Sequence, residues 1–150
     1  MSREKLVIQP MQTRDIPEVL RLENDTLSAW NEDHLKEELQ QPTGFQFIVS
    51  NKKTDRVLAV LFGRIIADEA EILKLSVAEF ERNKGVGYHL FSFAVNYCST
   101  KGVKNCFLEL RASNEIARRL YEKRGFITVG TRENYYNEPV EDAILMQFEL

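Results

Sequence analysis

The sequence predicts a single α/β (α+β) domain, built on a mixed, largely antiparallel sheet of about seven strands with helices on both faces. The first observation is the order of the apolar segments, which follow strand-like and helix-like spacing as β-α-α-β-β-β-α-β-α-β-β. The second is a single crossover, from 69 through 110, in which a helical segment joins two strands and makes them parallel. The length of 150 residues suits one domain, 1–150, without linkers or repeats.

The first half of the chain is predicted to hold two helices and four strands. Residues 5–9 form a short apolar strand that Pro10 ends. Thr13 caps a helix whose apolar side chains keep helical spacing as far as Leu27, and Asn31 caps a second helix that runs to Gln41. Three strands then follow as a meander, at 45–50, 56–67 and 69–77.

The second half is predicted to hold two helices and three strands. The first helix runs to about Lys101 and is followed by a strand at 104–110. Ser113 or Asn114 caps a shorter helix that ends at Lys123, and two strands at 126–133 and 142–150 complete the sheet. The apolar stripe of the first of these helices consists of Val86, Leu90, Phe93, Ala94 and Tyr97.

A glycine-bearing loop, Arg82-Asn83-Lys84-Gly85-Val86-Gly87, lies between the third meander strand and this helix. Glycine permits positive φ and lets a ligand approach the backbone, while the amides of a first helical turn lack internal partners. Together with the helix dipole they favour an anion such as a phosphate or pyrophosphate, and Arg82 and Lys84 add full charges. The pattern R-x-x-G-x-G is equally typical of a helix start without a ligand, because it matches neither the Walker loop nor the dinucleotide motif.

Composition restricts the function and the compartment. A net charge of −3 is not that of a nucleic-acid-binding surface, and no apolar run reaches the ~20 residues that span a bilayer. The polar N-terminus does not resemble a signal peptide. Cys98 and Cys106 lie in apolar runs without zinc spacing, which is typical of buried, reduced thiols. We therefore expect a cytoplasmic protein without a metal, and without contact to a membrane or to nucleic acid.

Several motifs give the whole chain a resemblance to the GCN5-related N-acetyltransferases, and within them to the RimI type. The glycine loop follows the fourth strand, as it does in that family. More specific are five stretches in the second half of the chain: 108–114 (LELRASN), 120–122 (LYE), 125–126 (GF), 132–136 (RENYY) and 141–143 (EDA). Enzymes of the RimI type acetylate the N-terminal alanine of a small-subunit ribosomal protein.

The resemblance implies acetyl-CoA as the donor and assigns the residues that hold it. The pyrophosphate is expected on the loop amides, and the pantetheine arm is expected to pair like an extra strand with the fourth strand. The expected cofactor-binding residues are Leu75, Ser76, Val77, Arg82, Asn83, Lys84, Gly85, Val86, Gly87, Tyr88 and Asn114.

The resemblance also implies Glu109 as the general base and Tyr121 as the general acid. Acetyl transfer from a thioester needs a neutral amine and a protonated leaving thiolate, and a carboxylate and a phenol can supply both. Glu109 faces the same side as Phe107 near the carboxyl end of its strand, where open α/β sheets place ligands. The structural alternatives are a solvated glutamate at a strand end and a packed tyrosine whose hydroxyl is satisfied.

Three aromatic side chains are expected to frame the acceptor: Trp30, Tyr135 and Tyr136. Trp30 is equally suited to be a core anchor, and the two tyrosines to cover the sheet edge. The chain departs from the RimI pattern here, since Ser28-Ala29 stands where Phe-Pro usually precedes the tryptophan and the loop after Tyr136 is short. These departures concern the acceptor more than the chemistry.

Charged residues near these segments predict an acidic entrance that attracts the basic N-terminal segment of a protein. The acids are Glu23, Asp25, Glu32, Asp33, Glu133, Glu138, Glu141, Asp142 and Glu149. Other charged groups are expected to be solvated: Glu37 and Glu38, His34 and His89, and a basic run at 118–124 with an Arg118–Glu122 pair.

The sequence therefore predicts an N-acetyltransferase for a protein N-terminal α-amine, acting as a monomer or weak dimer. Two alternatives remain open. One is an acetyltransferase for a small amine or a lysine side chain on the same fold, and the other is a non-catalytic CoA-binding module.

Overall fold

A computed structural model describes residues 5–24, 26, 29–82 and 84–150. Seven strands form one sheet in the order β1-β2-β3-β4-β5-β7-β6. All neighbours are antiparallel except β4 and β5, which run parallel. The strands are β1 (Leu6–Pro10), β2 (Gly44–Asn51), β3 (Val57–Ile66), β4 (Glu69–Val77), β5 (Asn105–Arg111), β6 (Ile127–Tyr136) and β7 (Glu141–Glu149).

Four α-helices cover the sheet, and the element order matches the order that the sequence predicts. Two short 3-10 turns, Thr13–Asp15 and Glu79–Glu81, precede the first and third helices. In the described residues, no helix has the length and apolar character needed to cross a membrane. The helices are α1 (Ile16–Glu23), α2 (Glu32–Leu39), α3 (Val86–Thr100) and α4 (Glu115–Lys123).

The helices divide between the two faces of the sheet, as predicted. One core includes Val19 and Leu22 of α1, Leu35 of α2, and Ile48 and Phe62 of the sheet. The other core lies under α3 and α4 and contains the largest aromatic cluster of the protein. Its members include Phe91, Tyr121, Phe126, Leu108, Leu110 and Met146. A two-sided sheet of this kind buries its strands on both faces, which explains the fully buried run at the start of β3.

The parallel pair β4–β5 separates before either strand ends. Residues Glu69 to Ile72 pair with Asn105 to Leu108, and the pairing stops there. Strand β4 continues to Val77 alongside β3, and β5 continues to Arg111 alongside β7. Both strands are fully described, and beyond this point their facing backbone groups no longer pair with each other, which leaves an opening between them. Such groups need a partner when they are enclosed.

A β-bulge in β4 determines which side chains face this opening. Phe62 pairs with Lys74 and Gly63 pairs with Ile72, so Leu73 is the extra residue. Before the bulge, Ala70 and Ile72 face the core under α3. Unbroken alternation would also turn residues 74 and 76 toward α3, whereas the bulge turns them toward α1 and leaves Leu75 and Val77 under α3.

Several details of the sequence prediction are wrong. Gln12, not Thr13, opens the first helical segment, because its backbone N–H donates to the Asp15 carboxylate at 2.8 Å. That segment is α-helical only to Glu23, and Leu27 lies outside the described residues. Phe93 is not on the buried stripe of α3, where Phe91, Val95 and Cys98 lie instead.

Glu38 is not on a solvated face. It is buried in α2, and its carboxylate accepts a short hydrogen bond from the Arg64 guanidinium of β3. The periodicity of α2 did not reveal this, because two neighbouring glutamates on a polar helix resemble a solvated surface. The free thiols of Cys98 and Cys106 are both buried, as predicted.

Gly63 provides a test of the packing of this sheet. A Cβ at Gly63 would lie 2.2 Å from the Phe45 ring, which is buried and also contacts Phe47 and Tyr97. We therefore expect Gly63→Ala to lower the free energy of unfolding by about 1–3 kcal/mol, since an overpacked core must shift. Gly130→Ala in β6 is the matched control, because a Cβ there meets nothing within 4 Å. Urea unfolding checks both, and equal stability of the two variants would contradict this packing.

Candidate active site

The glycine loop gives α3 an N-terminus suited to an anion. Gly85 is the N-cap residue and has φ of +83°, a left-handed conformation that strains any residue with a side chain. Among the described residues, no side chain caps this end of the helix, and its first turn carries no acid. The first-turn amides and the positive end of the helix dipole therefore have no acid beside them within that turn.

The charged residues of the loop have different surroundings. Arg82 is exposed, and its Nε donates to the Val77 carbonyl at 3.2 Å, so its guanidinium lies beside the end of β4. Lys84 is also exposed. Lys123 of α4 places its Nζ 4.4 Å from the ring centroid of Tyr88, which joins α4 to the start of α3. Asn83 lies outside the described residues.

Gly87 is needed for packing within the protein, whether or not a ligand is bound. A Cβ at this position would lie 3.0 Å from Cγ2 of Val77 and 3.3 Å from Cδ1 of Leu120. The absence of a side chain therefore lets the first turn of α3 pack closely against β4 and α4. A substitution at Gly87 changes this packing as well as any ligand contact, so it is a poor probe of cofactor binding alone.

Asn114 caps α4, as predicted, since its Oδ1 accepts from the Ala117 backbone N–H at 3.1 Å. The carbonyl oxygen of this side chain is therefore occupied by the helix, and the amide nitrogen is the group left for a ligand. The side chain of Ser76 likewise points toward α1, and its hydroxyl donates to Glu23 at 2.7 Å. Among the residues predicted on β4, only backbone groups and the apolar Leu75 and Val77 face the α3 side.

A pocket of about 210 Å³ lies where β4 and β5 separate. It brings together four of the residues predicted for catalysis and acceptor binding, Trp30, Glu109, Tyr135 and Tyr136, although they come from three distant parts of the sequence. The other side chains in its wall come from β4: Glu71, Ile72 and Leu73.

Glu109 lies on one face of the sheet at the point where the strands separate. Its neighbours Leu108 and Leu110 point into the core under α3 and α4, so Glu109 points to the opposite face, into the pocket. Arg132 of β6 lies 3.4 Å from its Oε1. The side chain of Glu109 is 26% exposed, which leaves it open to an incoming amine.

Tyr121 lies on the other face. It is buried in the core under α3 and α4, with ring centroids 4.8 Å from Phe91 and 6.5 Å from Phe126. Burial raises the pKa of Tyr121 well above its ordinary value, and the nearby Tyr136 adds to this effect. The phenol is therefore protonated at neutral pH. Glu109 and Tyr121 thus lie on opposite faces of the sheet, Glu109 in the pocket and Tyr121 in the core.

Trp30 is both a wall of the pocket and a residue anchored to the core. Its ring packs on Phe62 and stacks on His34 at 4.0 Å between centroids. Its backbone N–H donates to Glu23 at 3.1 Å, and Lys74 lies over the ring at 5.3 Å. The prediction that His34 is only solvated is therefore wrong, because its ring extends the aromatic wall.

Glu23 and Lys74 form the buried ion pair that holds this wall. Their Oε2 and Nζ atoms are 2.6 Å apart, and the Glu23 side chain has no exposed surface. Burial lowers the pKa of Lys74, while the charge of Glu23 opposes that effect. The pair joins the end of α1 to the bulged part of β4, so the position of Trp30 depends on both.

The tyrosine-bearing end of β6 is held by Arg111 of β5. This guanidinium lies 4.6 Å from the ring centroid of Tyr136 and 3.2 Å from Glu141, and it donates to the carbonyls of Asn137 and Pro139. Burial, followed by the charge of Glu109, raises the pKa of Tyr136 to about 12. The pocket therefore contains phenols that remain neutral beside a carboxylate.

The acidic entrance is smaller than the sequence predicts. Glu23 is buried on Lys74, Glu141 accepts from the Ser113 backbone N–H at 2.6 Å, and Asp142 accepts from Asn134 at 2.8 Å. Glu149 pairs with Asn105 at the other end of β5, and Asp25 lies outside the described residues. Glu149 is exposed there, and the other exposed acids of the predicted set are Glu32, Asp33, Glu133 and Glu138.

Sequence reasoning missed Glu71, Lys74 and Arg111 as functional residues. In the sequence, Glu71 and Lys74 resemble ordinary polar positions of a strand, because residue types reveal neither the bulge nor the register with β5.

The basic run on α4 is as predicted, with Arg118 Nε 3.8 Å from Glu122. A second cleft, of about 280 Å³, lies between β1, β2 and the start of α3. His89 lines this cleft and is exposed, as predicted. Within the described residues, no group of three or more metal-binding side chains gathers.

Comparison with known proteins identifies the family of this chain. The profile of the acetyltransferase (GNAT) family matches residues 16–126, and the chain belongs to that family. A Bacillus subtilis (strain 168) protein, named provisionally as a ribosomal protein bS18-alanine N-acetyltransferase, is 33% identical over 146 residues, which is 96% of this chain and 95% of that protein.

Two comparisons with Escherichia coli proteins extend this result. The ribosomal protein bS18-alanine N-acetyltransferase of Escherichia coli (strain K12) is 29% identical over 143 residues, or 93% of this chain and 94% of that protein. The crystal structure of the ribosomal-protein-S18-alanine N-acetyltransferase from Escherichia coli superposes with a TM-score of 0.87 at 27% identity, covering 96% of this chain and 93% of that one. The resemblance seen in the sequence is confirmed at the level of family and fold.

The buried ion pair can be tested by removing its cation. Lys74→Met leaves the Glu23 carboxylate buried without its compensating charge, so we expect a loss of about 3–5 kcal/mol in the free energy of unfolding. Lys36→Met is the control, because Lys36 is exposed and lies 3.7 Å from Glu32. Its effect should stay within about 0.5 kcal/mol.

The double variant Glu23→Gln/Lys74→Met should recover part of the lost stability, since no buried charge then remains. Urea unfolding measures all four proteins. A Lys74→Met protein as stable as the parent would show that the ion pair does not hold this part of the fold.

Proposed function

We propose that this protein transfers acetyl from acetyl-CoA to the N-terminal α-amine of a protein, at the opening between β4 and β5. The observation that supports the proposal is the position of Glu109 in the pocket on one face of the sheet, with the phenol of Tyr121 in the core on the other face. A proton acceptor lies on the side of the pocket, and a proton donor lies on the side of α3 and α4. The names of the similar proteins support the same activity and suggest the acceptor class.

The residues around the opening suit acetyl-CoA. The uncapped start of α3 accepts the pyrophosphate, with Arg82 and Lys84 available to add charge. The pantetheine arm pairs with the backbone of β4 beyond Ile72, where β5 no longer does. This arrangement brings the thioester to the point where the strands separate, between the pocket and Tyr121.

The chemistry then follows from the two side chains. Glu109 takes a proton from the acceptor's ammonium group, directly or through a water, and leaves a neutral amine. The amine nitrogen attacks the thioester carbonyl carbon, and the carbon–sulfur bond breaks. Tyr121 donates its proton to the departing thiolate and is reprotonated as the acylated nitrogen loses its second proton, which leaves CoA as the thiol and the product as a neutral amide. An α-amino group has a pKa of about 7.7–8.0, so a modest base is sufficient near neutral pH.

The acceptor proposed is the N-terminal alanine of a small-subunit ribosomal protein. The pocket of about 210 Å³ suits a small first residue, with Trp30 and the two tyrosines as its walls. The exposed acids Glu32, Asp33, Glu133 and Glu138 favour basic residues further along the peptide. We assign the reaction to the cytoplasm, where two free thiols stay reduced.

Substitution of the two reacting side chains separates catalysis from binding. Glu109→Gln is expected to lower kcat by about 100-fold at pH 7 while acetyl-CoA affinity stays unchanged. Tyr121→Phe is expected to lower kcat without unfolding the aromatic core, because only the hydroxyl is lost. Glu149→Gln is the control, because Glu149 of β7 pairs with Asn105 at the start of β5, four residues before Glu109. Steady-state kinetics with calorimetry test this, and parent-like turnover of both variants would show that the two residues are structural.

An acceptor panel tests the substrate class on the parent protein. It compares an alanine-start peptide rich in arginine and lysine, the same peptide blocked by N-acetylation, and spermidine. We expect the free peptide to have the highest kcat/KM, and a fall in that value between about 50 and 300 mM salt as screening increases. A higher rate on the blocked peptide or on spermidine would replace the N-terminal assignment with a lysine or small-amine acceptor.

A further inference from the structure

On the face of the sheet that holds the pocket, helices cover only part of the strands. Helices α1 and α2 lie on this face and pack on β2, β3 and β4. In β5, Cys106, Leu108 and Leu110 face the other side, under α3 and α4. Phe107 and Glu109 alternate with them and therefore face the side of the pocket. Strands β5, β7 and β6 thus extend beyond the part of this face on which the two helices pack.

Three apolar side chains lie on this part of the sheet. Phe107 of β5 and Ile127 of β6 are in one row across the sheet, through Gln147 of β7. Leu145 of β7 is in the next row, beside Gly130 of β6. Within the described residues, none of the three belongs to either hydrophobic core. Ile127 is 64% exposed, and a Cβ at Gly130 would meet nothing within 4 Å. We call this surface, formed by Phe107, Leu145 and Ile127, the open face.

The open face begins at the wall of the pocket. Glu71 of the pocket is opposite Phe107, and Glu109 of the pocket is opposite Leu145. A peptide whose N-terminus is held at Glu109 therefore contacts these apolar side chains when its chain continues toward the start of β5. The distance from Glu109 back to Asn105 is about 13 Å along the strand, which an extended peptide covers with about four residues.

The charges around the open face favour a basic peptide. The cations Arg64 and Arg132 of this face are paired with acids of the fold, Glu38 and Glu109. Glu69 of β4 lies at the end of the face away from the pocket, opposite Asn105, and it is exposed. Within the described part of the chain, Glu69 forms no ion pair. Its charge is therefore available to a basic side chain of a bound peptide.

The size of the open face suits a peptide segment and not a second copy of the chain. Strands β5, β7 and β6 together span about 10 Å, and with a length of about 13 Å the area is on the order of 130 Å². A stable interface between two proteins buries about 800 Å² on each partner. A short extended segment matches the smaller area.

We propose that the open face binds the segment of the acceptor that follows its first few residues, and that it selects segments combining apolar with basic residues. This inference rests on the proposed function, because the pocket must hold the acceptor's N-terminus. Apolar side chains of the segment lie on Phe107, Leu145 and Ile127, where they leave water. Basic side chains reach the acidic end of the face at Glu69.

The test compares three alanine-start peptides with identical first residues. The short peptide ends after about four residues, and the leucine peptide continues for about six more that combine leucine with arginine. The serine peptide has serine in place of each leucine. With the parent protein, we expect kcat/KM to be about 10-fold higher for the leucine peptide than for the serine peptide, through a lower KM, because leucines buried on the open face add binding.

A matched pair of variants locates the contact. Ile127→Lys should remove the preference for the leucine peptide and leave kcat/KM of the short peptide unchanged. Ile116→Lys is the control, because Ile116 of α4 is also 64% exposed but lies on the other side of the sheet. It adds the same charge and should keep the preference. Thermal unfolding of both variants should equal that of the parent, since both positions are exposed.

Methyl NMR gives a readout besides activity. In the presence of CoA, which cannot react, the methyl signals of Ile127 and Leu145 should shift when the leucine peptide is added. The short peptide should leave these signals unchanged, because it ends before it reaches the open face.

The proposal is overturned if the parent does not prefer the leucine peptide, or if Ile116→Lys loses that preference as much as Ile127→Lys does. It is also overturned if sedimentation shows a dimer that Ile127→Lys dissociates, since the face would then belong to a second copy. If the short peptide is not acetylated, the proposed function fails as well. If it is acetylated and no preference appears, this inference alone fails.

Discussion

The separation of β4 from β5 after Ile72 and Leu108 is the constraint on which the rest of the site depends. Two parallel strands normally satisfy each other's backbone groups along their shared length, and here they stop doing so while both continue. The opening leaves a strand edge for an extended ligand and places one side chain from each face at the same point. Glu109 and Tyr121 lie on opposite sides of the sheet, and the proposed reaction needs this opening to bring both to one substrate.

The neighbouring elements keep the opening in shape. The bulge at Leu73 turns Lys74 and Ser76 toward α1, where Glu23 binds both and also holds the Trp30 backbone. On the other wall, Arg111 fixes the end of β6 through Tyr136 and Glu141. The pocket walls are thus fixed by buried or half-buried charges, whereas the start of α3 depends on backbone geometry at Gly85 and on close packing at Gly87.

The sequence predicted the order of elements, the two-sided sheet, and the grouping of Trp30, Glu109, Tyr135 and Tyr136, because periodicity and motifs record these directly. It did not predict what depends on register and tertiary pairing. Glu71 becomes a pocket residue only through its position opposite Phe107, and Glu38 becomes buried only through Arg64. Acids counted along the chain suggested a more acidic entrance than exists, since Glu23 and Glu141 are bound by cations of the fold.

The central claim is that the unpaired part of β4 and the start of α3 together hold acetyl-CoA. Hydrogen–deuterium exchange of the backbone amides, with and without acetyl-CoA, tests it most directly. The account predicts slower exchange at residues 73–77 and 85–88 when acetyl-CoA is added, and unchanged exchange in β2, which is paired on both sides. Protection confined to the cleft between β1, β2 and α3, with none along β4, would contradict it.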